Sequence, residues 1–146
     1  MKLTRHTDYA LRLLMTLALQ PEAPRTIDDV ARSFRISADH LRKVAQTLAR
    51  AGFIRTARGR GGGVKLARAP AAIVLGAVVR ATEESFALVE CQAPEAAHCA
   101  IAAACVLPRP LQLAVQAFLE VLDRYTLADL VTGPHRRGKL RDLLAP

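Results

Sequence analysis

Three cysteines close together in the second half of the chain are the side chains best suited to chemistry. Cys91, Cys99 and Cys105 are separated by seven and five residues, so all three lie within 15 positions. An odd number of thiols does not describe a structural disulfide framework. One free cysteine is often just a small buried apolar residue. Three in one segment instead predict a common centre, and soft thiolates favour an iron–sulfur cluster or zinc.

The positive charge of the chain is concentrated in its first half. Residues 1–70 contain 14 Lys or Arg and 5 Asp or Glu, a balance of +9, whereas residues 71–146 contain 7 and 8, a balance of −1. A basic half joined to a nearly neutral half is typical of a nucleic-acid-binding module attached to a sensing or dimerising segment. A generally basic surface is the alternative that the charge alone leaves open.

Hydrophobic spacing in the basic half predicts three helices. They cover residues 8–19, 27–34 and 38–50, and the last two are joined by a tight turn at 35–37. Helices of these lengths around such a turn are typical of a helix-turn-helix, whose second helix lies in the major groove of DNA. On this interpretation five residues contact DNA. They are Ser37, which caps the helix 38–50, and His40, Arg42, Lys43 and Gln46 of that helix.

A glycine-rich segment after the third helix predicts a β-hairpin wing. Strand-like residues 53–57 and 64–68 flank a tip in which Arg58 and Arg60 alternate with glycines. Glycine permits positive φ angles there, and the two arginines can reach phosphates or a minor groove. The tip lacks the residue order of a P-loop and leads to no helix, which argues against a nucleotide site. None of the six aromatic residues is interleaved with it, so duplex DNA is favoured over single strands.

The second half of the chain predicts further helices, one of which carries a dimerisation seam. A fourth helix is expected over residues 71–81. Apolar residues then recur at intervals of four and three, a heptad-like stripe that favours a partner helix over packing on its own domain. The helix continues or restarts over 127–131, and we expect the basic tail to be a solvated end rather than a phosphate contact. The stripe consists of Leu111, Val115, Phe118, Leu122 and Tyr125.

These elements predict a mainly α fold with a small β-hairpin wing: a winged helix-turn-helix domain plus a long dimerisation helix. No charge-free run approaches the roughly 20 residues that span a bilayer, so we expect a cytoplasmic protein with no membrane partner. Dispersed carboxylates and the lack of a nucleophile–base pair predict that it is not an enzyme. The expected boundaries are 1–81 for the DNA-binding domain, 82–108 for the cluster-binding loop, 109–131 for the dimerisation helix and 132–146 for the basic tail.

Six stretches together form a specific pattern that extends over nearly the whole chain. They are Leu3-Thr4-x-x-Thr7-Asp8-Tyr9-Ala10-Leu11-Arg12, Leu41-Arg42-Lys43-Val44, Arg58-Gly59-x-x-Gly62-Gly63, Glu90-Cys91, Cys99-x5-Cys105 and Leu122-Asp123-x-Tyr125-Thr126-Leu127-Ala128-Asp129-Leu130. With this pattern the chain resembles the NsrR/IscR type of winged-helix iron–sulfur transcription regulators.

The resemblance implies a homodimer with one [4Fe-4S] cluster per subunit, held by the three cysteines. In the family pattern a carboxylate near the N-terminus, matching Asp8 here, is a fourth cluster ligand that one subunit gives to the other. The alternative is that Asp8 only interacts with the dipole at the start of its helix. A hard oxygen donor is more displaceable than a thiolate, which leaves the iron reactive toward a small diatomic ligand. Pro108 stands where the IscR branch has a histidine, which argues against the cluster type of that branch. His98, next to Cys99, is either a substitute ligand or a surface residue.

The function that the resemblance implies is a repressor that binds an inverted-repeat operator in double-stranded DNA and loses it when nitric oxide attacks the cluster. One alternative keeps the DNA module but assigns a [2Fe-2S] cluster or a thiol switch that reads iron–sulfur or redox status. Another is a small iron–sulfur or zinc carrier without a DNA role, which the basic first half disfavours.

Overall fold

The computed structural model of the chain describes residues 2–57, 62–92 and 99–144. Short 3-10 turns over Pro70–Ala72 and Glu90–Gln92 accompany the main elements, and none of the described helices has the length and apolar character to cross a membrane. The main elements are α1 (Arg5–Leu19), α2 (Ile27–Phe34), α3 (Ala38–Arg50), β1 (Ile54–Ala57), β2 (Gly63–Leu66), α4 (Leu75–Thr82), α5 (Pro108–Asp123), α6 (Leu127–Val131) and α7 (Pro134–Leu143).

Hydroxyl caps start the first three helices. The side chains of Thr4, Thr26 and Ser37 each accept a hydrogen bond from a backbone N–H in the first turn, which satisfies one of the donors that a helix leaves unpaired. Because Thr4 is a cap, α1 begins three residues before the predicted start. The predicted spans of the second and third helices are confirmed. Gly52, at φ 73°, adopts the left-handed conformation that follows α3.

The described part of the wing is an antiparallel pair with a third segment beside it. Ile54 pairs with Leu66 and Ala57 with Gly63, while Arg25 bridges to Val64 on the other side of β2. A side chain at Gly63 would place its Cβ 2.4 Å from the Arg25 carbonyl oxygen, so this close approach requires glycine. The predicted hairpin is therefore present, whereas Arg58 and Arg60 at its tip lie outside the described residues.

The hydrophobic core lies around α1. Leu13, Leu14 and Leu17 of this helix are buried, and they belong to one cluster with apolar residues of α3, α4 and α6. α4 packs against α1, α3 and α5, so it lies between the core and the long helix α5. It begins at Leu75 rather than residue 71, because Ile73 and Val74 are extended and Val74 bridges to Thr126.

Within the range 109–131 the helix restarts rather than continues, which is one of the two expected arrangements. The chain turns after Asp123, and α6 begins at a capping box in which Thr126 and Asp129 bond each other. Leu127 is completely buried in the core, which pulls α6 away from the axis of α5 and into the DNA-binding domain. The basic tail differs from the expected solvated end, because it forms the docked helix α7.

Candidate metal centre and nucleic-acid interface

The three cysteines lie in the segment that connects α4 to α5. Cys91 lies in a 3-10 turn and is exposed, Cys99 is exposed, and Cys105 is half-buried three residues before α5; all three thiols are free. Their donor type fits a soft iron or zinc centre. Within the described ranges, no three His, Cys, Asp or Glu side chains are gathered in an arrangement that could hold a metal ion. His98 lies outside those ranges.

Gln92 joins the two ends of the cysteine segment, residues 91–105, through hydrogen bonds of its side chain. Its side-chain oxygen accepts a hydrogen bond from the Leu88 backbone N–H at 2.9 Å, and its amide nitrogen donates to the Pro108 carbonyl at 3.2 Å. The residue next to Cys91 is thereby tied to the first residue of α5. No pattern in the sequence marks Gln92, because a single glutamine has no characteristic spacing.

Asp8 lies in the first turn of α1, where an arginine holds its carboxylate. Arg12 donates from Nε and from a terminal nitrogen at 2.9 and 2.7 Å, a two-point contact at the i,i+4 spacing. The Arg12 guanidinium also lies 5.9 Å from the ring centroid of Tyr9 and 5.6 Å from that of Phe34. Asp8 is therefore linked through Arg12 to α2. The four-residue spacing was the available signal for this pair.

The predicted DNA-contacting residues of α3 fall into two groups. Lys43 and Gln46 are exposed, as is Ser37, whose hydroxyl caps the helix. Arg42 is also exposed, but its guanidinium bonds Asp28 of α2 at 2.7 Å and Asp39 of α3. A phosphate or base must compete with these two carboxylates for Arg42, whereas Lys43 and Gln46 form no side-chain ion pair or hydrogen bond among the described residues.

His40 faces α1 rather than projecting fully from α3. Its ring is half-buried and lies edge-on to Tyr9 with 5.0 Å between centroids, and 6.2 Å from the ring of His6. His6 in turn bonds the Thr47 hydroxyl at 3.1 Å. Burial, followed by the neighbouring imidazole of His40, lowers the pKa of His6 from its usual value. This cluster joins the first helix to the predicted recognition helix.

α5 presents an apolar face that the described residues cover only in part. Along this helix no residue is buried, and the residues of its predicted stripe are half-buried or exposed. Its attachment to the rest of the molecule includes a two-point ion pair between Arg80 and Asp123, with both nitrogen–oxygen distances at 2.6 Å. The hydrogen bond from Arg80 lowers the pKa of Asp123.

Known proteins with a similar sequence are transcriptional regulators. Residues 3–133 match the model of the Rrf2 family, described as iron-dependent transcriptional regulators. The chain is 50% identical over 145 residues to the HTH-type transcriptional regulator NsrR of Geobacillus kaustophilus, which covers 99% of this chain and 97% of that protein. It is 46% identical over 141 residues to NsrR of Bacillus subtilis, covering 96% and 97%.

Solved structures of other transcriptional regulators have a similar fold. CymR, the global cysteine regulator of B. subtilis, matches 89% of this chain and 95% of its own with a TM-score of 0.69 and 29% identity. IscR of T. potens matches 88% and 85% with a TM-score of 0.71 and 26% identity. The predicted fold class and the absence of an enzymatic role are confirmed by these relatives. The chain belongs to the Rrf2 family of winged-helix transcriptional regulators.

Proposed function

We propose that this regulator is a homodimeric repressor that binds an inverted-repeat operator in duplex DNA and releases it on exposure to nitric oxide. The observation that carries the proposal is the presence, in one chain, of an exposed basic surface on α3 and three free thiols next to α5. The similarity over nearly the full chain to proteins named HTH-type transcriptional regulator NsrR supports the DNA-binding, regulatory part of this function.

The DNA-binding part of the proposal rests on α3 and the wing. Lys43 and Gln46 are exposed in the middle of the helix that a winged helix-turn-helix places in the major groove. Arg42, Ser37 and His40 supply further contacts from its first half. Arg58 and Arg60 of the wing tip complete the proposed contact set as phosphate or minor-groove ligands.

Dimerisation is assigned to α5. Its apolar stripe extends over 15 residues, or about 22 Å of helix. Four of its five residues are half-buried and Tyr125 is exposed, so the protomer covers the stripe only in part. An isologous contact between two copies of α5 would cover both stripes, and the two winged domains could then address the two halves of an inverted repeat.

The proposed cofactor is one [4Fe-4S] cluster per subunit, held by Cys91, Cys99 and Cys105. When bound, it would supply iron that a small diatomic molecule can ligate, most readily where the fourth ligand is a carboxylate rather than a thiolate. Asp8 is the proposed fourth ligand, given across the dimer. Both oxygens of its carboxylate accept hydrogen bonds from Arg12, the side chain that links it to Phe34 in the helix-turn-helix, so iron would share this carboxylate with Arg12 or displace the guanidinium.

Anaerobic purification followed by an absorption spectrum and an iron count tests the proposal. We expect a coloured protein with about four irons per chain, whose DNA binding is lost during titration with nitric oxide. Asp8→Ala should keep the iron but alter the spectrum and the nitric oxide response, whereas Glu22→Ala, at an exposed carboxylate between α1 and α2, is the control. A colourless, iron-poor protein that still binds its DNA after reconstitution would overturn the sensor.

A second candidate is a redox regulator with a [2Fe-2S] cluster or a thiol switch. It is favoured by the exposure of Cys91 and Cys99, because accessible thiols can be oxidised. The same iron count separates the two: about two irons, or none together with thiol oxidation that changes DNA affinity, would support the alternative.

A further inference from the structure

The last helix carries positive charge that no role described above uses. α7 contains four Lys or Arg and one Asp in ten residues, and it lies beyond residue 133, where the family match ends. Leu140 and Leu144 pack on the core, while the charged side chains are exposed. A solvated tail would distribute these charges over many positions, whereas a docked helix keeps them in one place.

Two arginines of α7 hold the helix to the winged domain. Arg137 donates to the Leu19 carbonyl at 3.2 Å, at the end of α1, and Arg136 donates to the Asp129 carbonyl of α6 at 3.1 Å. A cation at the carboxyl end of a helix is favoured by the helix dipole. Arg136 and Arg137 therefore act as anchors of α7.

The other end of α7 lies next to the base of the wing. A terminal nitrogen of Arg25 donates to the Leu144 carbonyl at 3.4 Å. The backbone of the same Arg25 pairs with Val64 of β2 through two hydrogen bonds of 3.0 and 2.9 Å. The Ser33 hydroxyl of α2 also lies 3.5 Å from the Leu144 carbonyl. One residue thus links the end of α7 to the wing strand.

The remaining cations of α7 are Lys139 and Arg141. Both are exposed, and in the part of the chain that the structure describes neither forms an ion pair. The acidic residues of the first three helices, in contrast, are engaged by arginines, with the pairs Asp8–Arg12, Asp29–Arg32, Asp28–Arg42 and Asp39–Arg42. The charge of Lys139 and Arg141 is therefore available to an external anion.

We propose that α7 is a second DNA-binding surface, which contacts phosphates of the duplex that flanks the site read by α3 and the wing. Lys139 and Arg141 bind those phosphates, and Arg136, Arg137 and Arg25 fix their position. The inference rests on the proposed DNA binding and extends it to DNA outside the recognised site. An anionic membrane is the less favoured partner, because Leu140 of α7 and the following Leu144 pack on the core, and the exposed Leu143 alone is not a broad apolar face.

Salt-dependent binding to two lengths of one duplex tests this surface. The DNA is a duplex that the wild-type protein selects from a random-sequence library, made as the selected site alone and with about 10 extra base pairs, one helical turn, on each side. The variant Lys139→Gln/Arg141→Gln removes two charges per protomer. The matched control, Lys139→Arg/Arg141→Lys, keeps them, and circular dichroism confirms that each variant is folded.

On the long duplex we expect the plot of log affinity against log salt to be shallower for the glutamine variant by about two units per contacting protomer. The charge-conserving variant should match wild type, and on the short duplex all three slopes should agree. Equal slopes for wild type and the glutamine variant on the long duplex would overturn the inference, as would an equal difference on both duplexes. Stronger binding to phosphatidylglycerol vesicles than to the long duplex would also overturn it. If the wild-type protein selects no duplex, the proposed function itself fails.

Discussion

At the scale of single residues, side-chain hydrogen bonds hold the segments that matter for function. Gln92 joins Leu88 to Pro108, and Asp129 bonds both the backbone and the hydroxyl of Thr126. Neither contact involves a large apolar surface, so each acts mainly by fixing where a segment begins.

Replacement of Gln92 should loosen the two ends of the cysteine segment. Gln92→Met keeps the length of the side chain but removes both hydrogen bonds, each worth about 1 kcal/mol. We expect the Leu88 amide to exchange with deuterium about three- to tenfold faster, because its acceptor is lost. Gln112→Met, an exposed glutamine of α5, is the control. Unchanged exchange at Leu88 in the Gln92 variant would show that the bridge does not order this segment.

The Asp129 cap should make stability depend on acid pH. Hydrogen bonds from the Thr126 N–H and then its hydroxyl lower the pKa of Asp129 from its usual value of 3.8. The contribution of the ionised Asp129 cap to the free energy of unfolding is therefore complete above pH 3.8 and is lost as the pH falls through the lowered pKa. Asp129→Asn keeps an acceptor but cannot titrate. In urea unfolding, the stability difference between wild type and Asp129→Asn should shrink as the pH is lowered from 7 toward 2, and a constant difference would contradict it.

At the scale of elements, α6 belongs to the winged domain although it directly follows α5. Backbone bonds of 2.9 Å from Leu75 to Tyr125 and 2.8 Å from Leu127 to Ile73 attach the turn between these helices to the start of α4. The end of α5 is therefore held by α4 on one side and by the core on the other.

Truncation of Leu127 measures how much α6 contributes to the core. The side chain is completely buried, so Leu127→Ala should lower the free energy of unfolding by about 2–5 kcal/mol. Leu143→Ala, at a leucine of α7 that is 67% exposed, should change it by no more than about 0.5 kcal/mol. Chemical denaturation of both variants checks this. Equal effects would mean that α6 is not part of the cooperative unit.

Gly76 of α4 lies close to the Arg80–Asp123 ion pair that joins α4 to α5. A Cβ on Gly76 would collide with an Asp123 carboxylate oxygen, so Gly76→Ala must displace Asp123 from Arg80. Loss of this half-exposed ion pair costs little and alanine favours the helix by about 1 kcal/mol, so we expect a net change of no more than about 1 kcal/mol in the free energy of unfolding. In the background of Asp123→Ala the same change should be more stabilising, because no ion pair is lost. A double-mutant cycle measures the difference, and strict additivity would contradict the displacement of Asp123.

At the scale of the whole molecule, α4 is the physical link between the proposed dimer helix and the DNA-binding surface. It packs against α5 on one side and against α1 and α3 on the other. A rotation of α5 within a dimer would therefore reach α3 through packed helices. This makes the spacing of the two winged domains the quantity that a change near the cysteines can alter.

The dimer assignment predicts a clear effect of charge on the α5 stripe. Phe118→Lys should convert the protein to monomers in light scattering, because two ammonium groups would have to be buried in an isologous contact. Gln116→Lys, an exposed position on the same helix, should leave the assembly unchanged. If Phe118→Lys remains dimeric while the winged domain stays folded, another surface forms the dimer.

Much of the winged domain follows from local sequence. The caps at Thr26 and Ser37, the glycine after α3 and the alternating hairpin act within a few residues, so their spacing predicts the spans of α2 and α3 correctly. The uneven distribution of charge and the three close cysteines are likewise properties of the sequence alone. They predict a basic nucleic-acid-binding half and a soft metal centre, whereas a regulator is what the family resemblance implies.

Other features depended on contacts between distant residues. The insertion of α6, the bridge of Gln92 to Pro108, the turn of His40 toward Tyr9 and the docking of α7 beside Arg25 join residues that the sequence does not mark as neighbours. Local spacing specifies which face of a helix is apolar. Which neighbour covers that face, and which hydrogen-bonding groups meet as a result, is decided only when the whole chain packs, because burial depends on every element at once.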